Sequence, residues 1–374
     1  MNQINEKKNI RQKENNPAKN KKNHIILIAV LSLLTLSLII IAAVRTSSVE
    51  NKFPYSTGGY DSLQKMDMLG NDLFLLTNDE SIVLSPSGNE IQKIKHSFSN
   101  PLAVVNKNKA LVYDLNGSSF YAQNSKNQIF SGKIEDKIIT ADIDGNSNVA
   151  LATSSKDSLM KLSVYKKSFT KKAFEWMTYS SVIVGTSLSG NDTVAVALYE
   201  TKNYKSIGKV LIFDFSKTKP IAEFEFPGSS ILAVKYTSPD NLIVVTDNKL
   251  IGIKNNKKIS NEYKYGELFL RGFSFNPSRG GNILLSAGEN SNKNNLVSFN
   301  GKGKIISEKS ADQNVESIYS TSSKIYVLTK DSLFTYSSVG KPKSTQLEVS
   351  ATEVVGNNYN TYIYSYGKIY KIKR

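Results

Sequence analysis

A tight polar turn is followed by a short strand in the stretch Ser238-Pro-Asp-Asn-Leu-Ile-Val-Val-Thr246. The strand is apolar from Leu242 to Val245. Asp and Asn accept the left-handed backbone of short hairpins. The β-branched residues that follow favour a strand, and their unbroken apolar run predicts that both faces of the strand are covered. We call this the b strand of a repeating unit, because the same turn and strand recur along the chain.

Eight copies of the b strand follow one another at spacings of 36 to 48 residues. They are Leu73–Thr77, Ala110–Asp114, Val149–Thr153, Val194–Leu198, Leu242–Thr246, Asn282–Ser286, Ile325–Thr329 and Thr361–Ser365. A period of about 40 residues is typical of propeller blades with four strands, which we name a to d in chain order. The predicted fold is an all-β propeller over residues 60–374, with eight blades, or seven if one copy is irregular.

The last unit ends with Lys368–Arg374 as its c strand and has no d strand after it. An unpaired edge at this point would invite aggregation. The spare segment around Glu50 to Tyr60 is the available source of the missing strand. We therefore expect residues 45–59 to form a linker and a strand that closes the ring.

A membrane anchor is predicted for Ile25–Val44, where Ser32, Thr35 and Ser37 are the only polar residues. Twenty residues of helix span roughly 30 Å, the thickness of the hydrocarbon layer. Seven lysine and arginine residues precede this segment, so the positive-inside rule places the amino terminus in the cytoplasm. We expect residues 1–24 to be a disordered basic cytoplasmic tail, residues 25–44 an uncleaved signal anchor, and the propeller to lie outside the cytoplasm at the cell membrane.

The formal net charge is +16, of which the seven basic and two acidic residues of the tail supply +5. The outer part therefore carries +11 of its own. Because that part is predicted to lie outside the cytoplasm, anionic lipid or wall polymer is a more suitable partner than nucleic acid. The chain has no cysteine, so disulfides and thiol chemistry are excluded.

Lysines are concentrated in the turns between c and d strands. They are Lys126, Lys166, Lys167, Lys217, Lys219, Lys254, Lys257, Lys258, Lys302, Lys304, Lys341 and Lys343. All c–d turns of a propeller lie on one face together with the a–b turns. If the closing strand enters at that face, the lysines face the bilayer; the alternative is that lysine serves only as a soluble turn residue.

Polar side chains end seven of the eight b strands, and they could form a ligand-binding ring. They are Thr77, Asp114, Thr153, Thr246, Ser286, Thr329 and Ser365. The alternative is that each bonds the turn beside it, as Ser, Thr and Asp commonly do. Tyr362, Tyr364 and Tyr366 alternate and are predicted to share one strand face, for sugar stacking or for packing between blades.

Catalytic and metal-binding motifs find little support. The two histidines are His24 at the membrane border and His96, which is predicted to lie in the last strand of the first blade, so no Ser-His-Asp set is expected. Asp142–Asn148 has oxygen donors at alternate positions but lacks the glycine and glutamate of a calcium loop. We therefore assign no catalytic residue, metal or cofactor, although paired carboxylates for glycan cleavage stay open.

The turns Ser238–Asn241 and Ser85–Gly88, with the strand spacing around them, resemble those of quinoprotein-like and tryptophan-aspartate-repeat propellers. More narrowly, the chain resembles an uncharacterised family of bacterial single-pass membrane proteins with an extracytoplasmic propeller. This resemblance implies an anchored propeller. It does not imply quinone binding, because Trp176 is the sole tryptophan and no Trp-Asp dipeptide occurs.

The predicted function is non-enzymatic. We expect an anchored binding or scaffold module for a protein, peptide or cell-wall polymer, bound on the face opposite the lysines. The competing prediction is a glycan-active hydrolase or lyase that uses carboxylates in the central channel, since propellers host both kinds of function.

Overall fold

The computed structural model describes residues 55, 58–166, 168–276, 280–288, 291–311, 313–337 and 341–372. The predicted cytoplasmic tail, the predicted anchor Ile25–Val44 and residues 45–54 lie outside the described residues. Within the described residues, no helix has the length and apolarity needed to cross a bilayer.

The described residues form eight antiparallel sheets, in each of which the strands are ordered as in the chain. Blade one contains β1 Lys65–Leu69, β2 Asp72–Leu76, β3 Glu80–Leu84 and β4 Glu90–Lys95, and blade two contains β5 Pro101–Asn106, β6 Lys109–Asp114, β7 Ser119–Gln123 and β8 Gln128–Lys133. Blade three contains β9 Ile138–Ile143, β10 Val149–Ser154, β11 Met160–Lys166 and β12 Lys171–Thr178, and blade four contains β13 Val182–Leu188, β14 Thr193–Lys202, β15 Lys205–Asp214 and β16 Ala222–Pro227.

Blade five contains β17 Ile231–Ser238, β18 Asn241–Thr246, β19 Lys249–Lys254 and β20 Lys258–Lys264, and blade six contains β21 Phe269–Asn276, β22 Gly280–Ser286, β23 Asn294–Asn300 and β24 Ile305–Ser310. Blade seven contains β25 Ser317–Ser320, β26 Lys324–Leu328, β27 Ser332–Ser337 and β28 Lys343–Gln346, and blade eight contains β29 Glu353–Gly356, β30 Thr361–Ser365 and β31 Lys368–Ile372. This is an all-β propeller with eight blades. The prediction of eight is confirmed and the alternative of seven is wrong.

The b strands are covered on both faces, because successive side chains of a strand point in opposite directions. In β18, Leu242 and Val244 pack against blade four, whereas Ile243 and Val245 pack against blade six. The outermost d strands show the opposite pattern. β24, for example, alternates between half-buried and exposed residues along its whole length.

The hydrophobic core is divided into clusters between neighbouring blades, and eight such clusters occur among the described residues. One of them joins the last blade to the first, where Tyr362 and Ile369 pack with Leu73 and Leu75. The a strands β29 and β1 are also neighbours. The ring is therefore continuous from blade eight to blade one.

Blade eight has three strands among the described residues, and residues 55 and 60 lie along its outer edge. The backbone N–H of Tyr55 donates to the carbonyl oxygen of Ile369, and that of Tyr60 donates to Gly367, both at 2.7 Å. Residues 50–54 and 56–57 lie outside the described residues. Residues 55 and 60 thus bond the expected edge, but the closing strand as a whole stays a prediction.

Tyr55 also contacts blade one. Its hydroxyl donates to the carbonyl oxygen of Ser85, and its ring lies 4.9 Å from that of Tyr362. The ammonium group of Lys371 is 5.8 Å from the Tyr55 ring and donates to the Pro86 carbonyl at 2.6 Å. Lys371 and Tyr55 thus tie blade eight to the c–d turn of blade one.

We expect a chain that begins at residue 61 to melt at least about 5 °C below one that begins at residue 45, because it loses the backbone bonds and the tyrosine contacts just described. Circular dichroism during heating measures this shift. A chain that begins at residue 51 is the control and should melt with the longer one. Equal melting of all three chains would show that residues 51–60 are only a linker.

Candidate functional site

The turns and loops of the propeller divide between two faces. In a four-stranded antiparallel sheet the a–b and c–d turns lie at one end, and the b–c turns and d–a loops lie at the other. The a–b turns of successive blades contact one another: the Gly70 N–H donates to the Lys107 carbonyl at 2.7 Å, and Lys109 Nζ donates to the Gly145 carbonyl at 2.6 Å. Turns of one kind therefore surround the ring axis on the same side.

The predicted lysines lie at the a–b and c–d side. Lys126, Lys217, Lys219, Lys257, Lys302, Lys304 and Lys341 are exposed residues of c–d turns. Lys166 and Lys254 instead end strands, and Lys258 and Lys343 begin strands, so these four lie beside the turns rather than in them. Lys166 is paired with Asp192 at 2.6 Å, and Lys167 lies outside the described residues.

The two faces differ in the sign of their charge. The described residues of the a–b and c–d turns include eight lysines and three aspartates, a net of +5. Those of the b–c turns and d–a loops include four lysines and ten acidic residues, a net of −6. We call the first the basic face and the second the acidic face. Lysines at the basic face were predicted from the sequence, whereas the acidic face was not.

The acidic residues of the acidic face are Asp61, Asp79, Glu135, Asp136, Asp157, Asp247, Glu267, Glu316, Asp331 and Glu348. Its lysines are Lys137, Lys156, Lys293 and Lys330. Since the faces are formed by different loops of the same blades, their opposite charges produce a field directed along the ring axis.

The polar residues at the ends of the b strands lie around the acidic face, and each bonds a neighbouring turn, strand or loop. The partners are Glu80 for Thr77, Asn100 for Asp114, Lys161 for Thr153, Lys249 for Thr246, Gly288 for Ser286, Ser332 for Thr329 and Ser350 for Ser365. Thr246 shows the pattern, because its Oγ1 donates to the Lys249 carbonyl and accepts from the Lys249 N–H, both at 2.9 Å. A ligand-binding role for this ring stays a prediction.

The three alternating tyrosines have three different environments. Tyr362 is fully buried between blades eight and one, and Tyr364 donates to the Tyr60 carbonyl at 3.0 Å. Tyr366 lies in the b–c turn with a φ of 45° and is 82% exposed. The prediction of a shared strand face is therefore wrong for Tyr366, because the strand ends at Ser365.

A cavity of about 1070 Å³ lies on the ring axis at the basic face. It is lined along most of β1 and along the whole of β25 and β29. The a strands β5, β13, β17 and β21 line it only near their carboxyl ends, and blade three lines it through its a–b turn. Aromatic, amide and hydroxyl side chains predominate, among them Tyr236, Phe273 and Tyr319. The cavity is thus deepest beside blades seven, eight and one.

Two carboxyl groups share the deep side of this cavity. Asp67 Oδ1 accepts from the Tyr319 hydroxyl at 2.9 Å, and Asp67 Oδ2 is 3.7 Å from Lys65 Nζ. The pKa of Glu353 is raised to about 7, chiefly by burial; the Met66 N–H lowers it, the nearby Asp67 raises it and Lys65 lowers it. Glu353 is therefore a carboxyl that titrates near neutral pH beside a second carboxylate.

Asp142 has a structural environment. It is 2% exposed, and its Oδ2 accepts from the Leu188 N–H at 2.7 Å while its Oδ1 lies 3.7 Å from Lys235 Nζ. Burial raises the pKa of this carboxyl, and Lys235 and the Leu188 N–H lower it. Asp142 consequently links blades three, four and five.

The oxygen-rich segment Asp142–Asn148 forms a turn that bonds its own carboxylate. Asp144 Oδ1 accepts from the N–H groups of Asn146 and Asn148, at 2.8 and 2.9 Å. Among the described residues, no three His, Cys, Asp or Glu side chains are arranged to hold a metal ion.

His96 follows β4 instead of lying in it, since that strand ends at Lys95. This corrects the prediction by one residue. The imidazole stacks on Phe98 with ring centroids 4.7 Å apart, and burial lowers its pKa.

A row of β-bulges in the a strands was missed by the sequence analysis. In blades three to six, an extra residue near the beginning of the a strand interrupts its pairing with the b strand: Ile139, Val184, Leu232 and Arg271. A bulge re-aims a side chain, and it does so here at the beginning of each a strand, on the acidic face. Together with Leu102, Val182 and Phe269, the three aliphatic residues form an arc that we call the apolar crescent.

The geometry is that of a β-propeller. The chain belongs to the family of unknown function DUF5711, whose sequence pattern matches residues 45–373. No curated protein matches the chain.

Solved propellers resemble the chain in fold. Sqt1 from Saccharomyces cerevisiae aligns with a TM-score of 0.59 at 7% identity, over 84% of this chain and 96% of its own. The apo form of AztD from Citrobacter koseri aligns with a TM-score of 0.53 at 15% identity, over 79% and 88%. BamB from Moraxella catarrhalis aligns with a TM-score of 0.52 at 11% identity, over 87% and 98%. At these identities the likeness concerns the fold alone.

The raised pKa of Glu353 predicts a particular dependence of stability on pH. An acid whose folded pKa is about 7 and whose unfolded value is 4.5 binds more protons when folded, so stability falls as pH rises between those values. The loss is about 3 kcal/mol at most. Glu353→Gln should abolish this part of the slope, which denaturant titrations at pH 5 and pH 8 would measure. An equal change in stability between pH 5 and pH 8 in the unaltered protein and in Glu353→Gln would contradict the raised pKa of Glu353.

Proposed function

We propose that the chain is a membrane-anchored extracytoplasmic binding module. In this proposal, Ile25–Val44 spans the bilayer, the basic face lies toward anionic headgroups, and the acidic face is presented to a protein, peptide or wall polymer. The fold is consistent with a binding or scaffold role. The orientation rests on the point at which the chain enters the ring.

The entry point is the observation that carries the proposal. Tyr55 contacts Ser85 in the c–d turn of blade one, whereas Tyr60 bonds Gly367 in the b–c turn of blade eight. The chain therefore runs toward the acidic face, from residue 55, whose hydroxyl reaches a turn of the basic face, to residue 60 beside the b–c turn of blade eight. The ten residues 45–54 can span at most about 35 Å. An anchor that ends at Val44 would hold the basic face nearest the membrane.

Electrostatics favours the same orientation. A lysine near an anionic bilayer contributes about 1 kcal/mol, and the effect decays over a screening length of about 10 Å. The basic face carries its lysines on short exposed turns, so several of them can reach one planar surface at once. The acidic face would be repelled by the same surface.

We expect residues 45–374 to bind vesicles that contain phosphatidylglycerol and not vesicles of phosphatidylcholine, as measured by co-sedimentation in 0.1 M salt. The combined change of Lys217, Lys219, Lys302 and Lys304 to Gln should weaken binding at least about tenfold. The matched control changes Lys137, Lys156, Lys293 and Lys330 to Gln on the other face and should bind as the unaltered protein does. Equal binding to both kinds of vesicle would refute the proposed orientation.

A glycan-cleaving function is the second candidate. Its support is the pair of carboxyl groups in the axial cavity, because glycosidases use two carboxyls with different pKa values. Asp67 is bonded by Tyr319, and Glu353 has a pKa of about 7. Release of reducing ends from a wall glycan that is lost in both Asp67→Asn and Glu353→Gln would favour this candidate over simple binding.

A further inference from the structure

We propose that the apolar crescent and the acidic loops around it dock a cationic polypeptide segment of a partner protein, in which lysine or arginine alternates with apolar side chains. This inference deepens the proposed function, on which it rests for the outward orientation of the acidic face.

The crescent exposes apolar side chains in blades two, four, five and six. The exposed fractions are 39% for Leu102, 42% for Val184, 52% for Leu232 and 62% for Phe269. All of these residues lie in the first half of an a strand, so they form an arc around the ring axis on one face. Clustered apolar surface rimmed by polar residues marks an interaction site in a soluble domain.

The bulges show how the crescent is formed. Val184 and Leu232 are each the unpaired extra residue of a bulged a strand, and Ile139 occupies the same place in blade three. If the extra residue were absent, strict alternation would place the side chains beyond it on the opposite face of the sheet. Two exposed aliphatic residues are thus presented by the same device in blades four and five, whereas Ile139 is half-buried against the cluster between blades three and four.

The charge of the adjacent loops selects the partner. Glu135, Asp157, Asp247 and Glu267 are exposed in the loops that border blades two to six. Asp136, in the same group of loops, is paired with Lys161 at 2.5 Å and so contributes less. An acidic rim repels nucleic acid and anionic lipid and attracts cations. An apolar arc within that rim favours a segment that carries both lysine or arginine and apolar side chains.

A second copy of the chain is a poorer occupant. Its basic face has the complementary charge, but anchoring would turn the basic faces of all copies toward the bilayer. Copies in one membrane could then not place a basic face on an acidic one. A cationic segment of another protein has no such restriction.

The test uses the full chain in phosphatidylcholine nanodiscs and a labelled 12-residue peptide of alternating lysine and leucine, with empty nanodiscs as the blank. Fluorescence anisotropy should show saturable binding that weakens as salt rises. A peptide of alternating glutamate and leucine and one of alternating lysine and serine should each bind at least about tenfold more weakly. These two probes separate the contributions of charge and apolar contact.

Variants locate the site on the propeller. Leu232→Lys should weaken binding of the lysine-leucine peptide at least about tenfold, because it removes an apolar contact and adds a like charge. Ile306→Lys is the matched control, since Ile306 is 63% exposed on the outer strand β24, and it should bind as the unaltered chain does. Melting temperatures of both variants establish that each is folded.

The outcomes separate the two proposals. Equal peptide binding by the unaltered chain and Leu232→Lys would overturn the docking surface, whatever the vesicle result. Peptide binding lost in Leu232→Lys, together with equal binding to both kinds of vesicle, would support the docking surface and refute only the membrane orientation. Salt-sensitive self-association abolished by Leu232→Lys would overturn the inference in favour of a second copy.

Discussion

The closure between blade eight and blade one is the contact on which the rest of the molecule depends. Seven blades have four strands, but the eighth has three among the described residues, so its outer edge needs another partner. Tyr55 and Tyr60 bond that edge, and the cluster around Tyr362 and Leu73 packs the two blades together. Without this contact the ring would expose an apolar sheet face and an unpaired edge at once.

Closure also gives a direction to the described part of the closing segment. The Tyr55 hydroxyl bonds Ser85 in a turn of the basic face, and the segment runs from there to Gly367 at the acidic face. The positive net charge of the outer part does not show how charge is divided between the two faces. A surplus of lysine over the whole propeller coexists with an acidic face, since acids are concentrated in the b–c turns and d–a loops. A propeller with opposite charges on its two faces can engage two different partners at the same time.

The b strands could be predicted from the sequence because burial on both faces leaves an unbroken apolar run, as from Leu242 to Val245. The basic face could be predicted as well, because its lysines lie in short c–d turns at a regular spacing. The acidic face was missed because its charges are dispersed over loops of unequal length, and their sum appears only once each loop is assigned to an end of a sheet.

The bulges at Val184 and Leu232 leave no mark in composition, since one extra residue changes register without changing residue type. The pairing of Asp67 with Tyr319 could not be predicted either, because it joins residues 252 positions apart in the chain. The position of Tyr366 could not be predicted from the sequence either. Alternation suggests that the strand continues, but the positive φ of Tyr366 places it in the turn.

We propose above all that the basic face lies toward the membrane and the acidic face away from it. The chain has no cysteine, so a single Lys302→Cys or Lys330→Cys change allows one fluorophore on either face. In nanodiscs that carry an acceptor on their headgroups, the account predicts stronger energy transfer from position 302, because the faces are separated by the strand length, about 20 Å. Equal transfer from both positions, or stronger transfer from position 330, would contradict it.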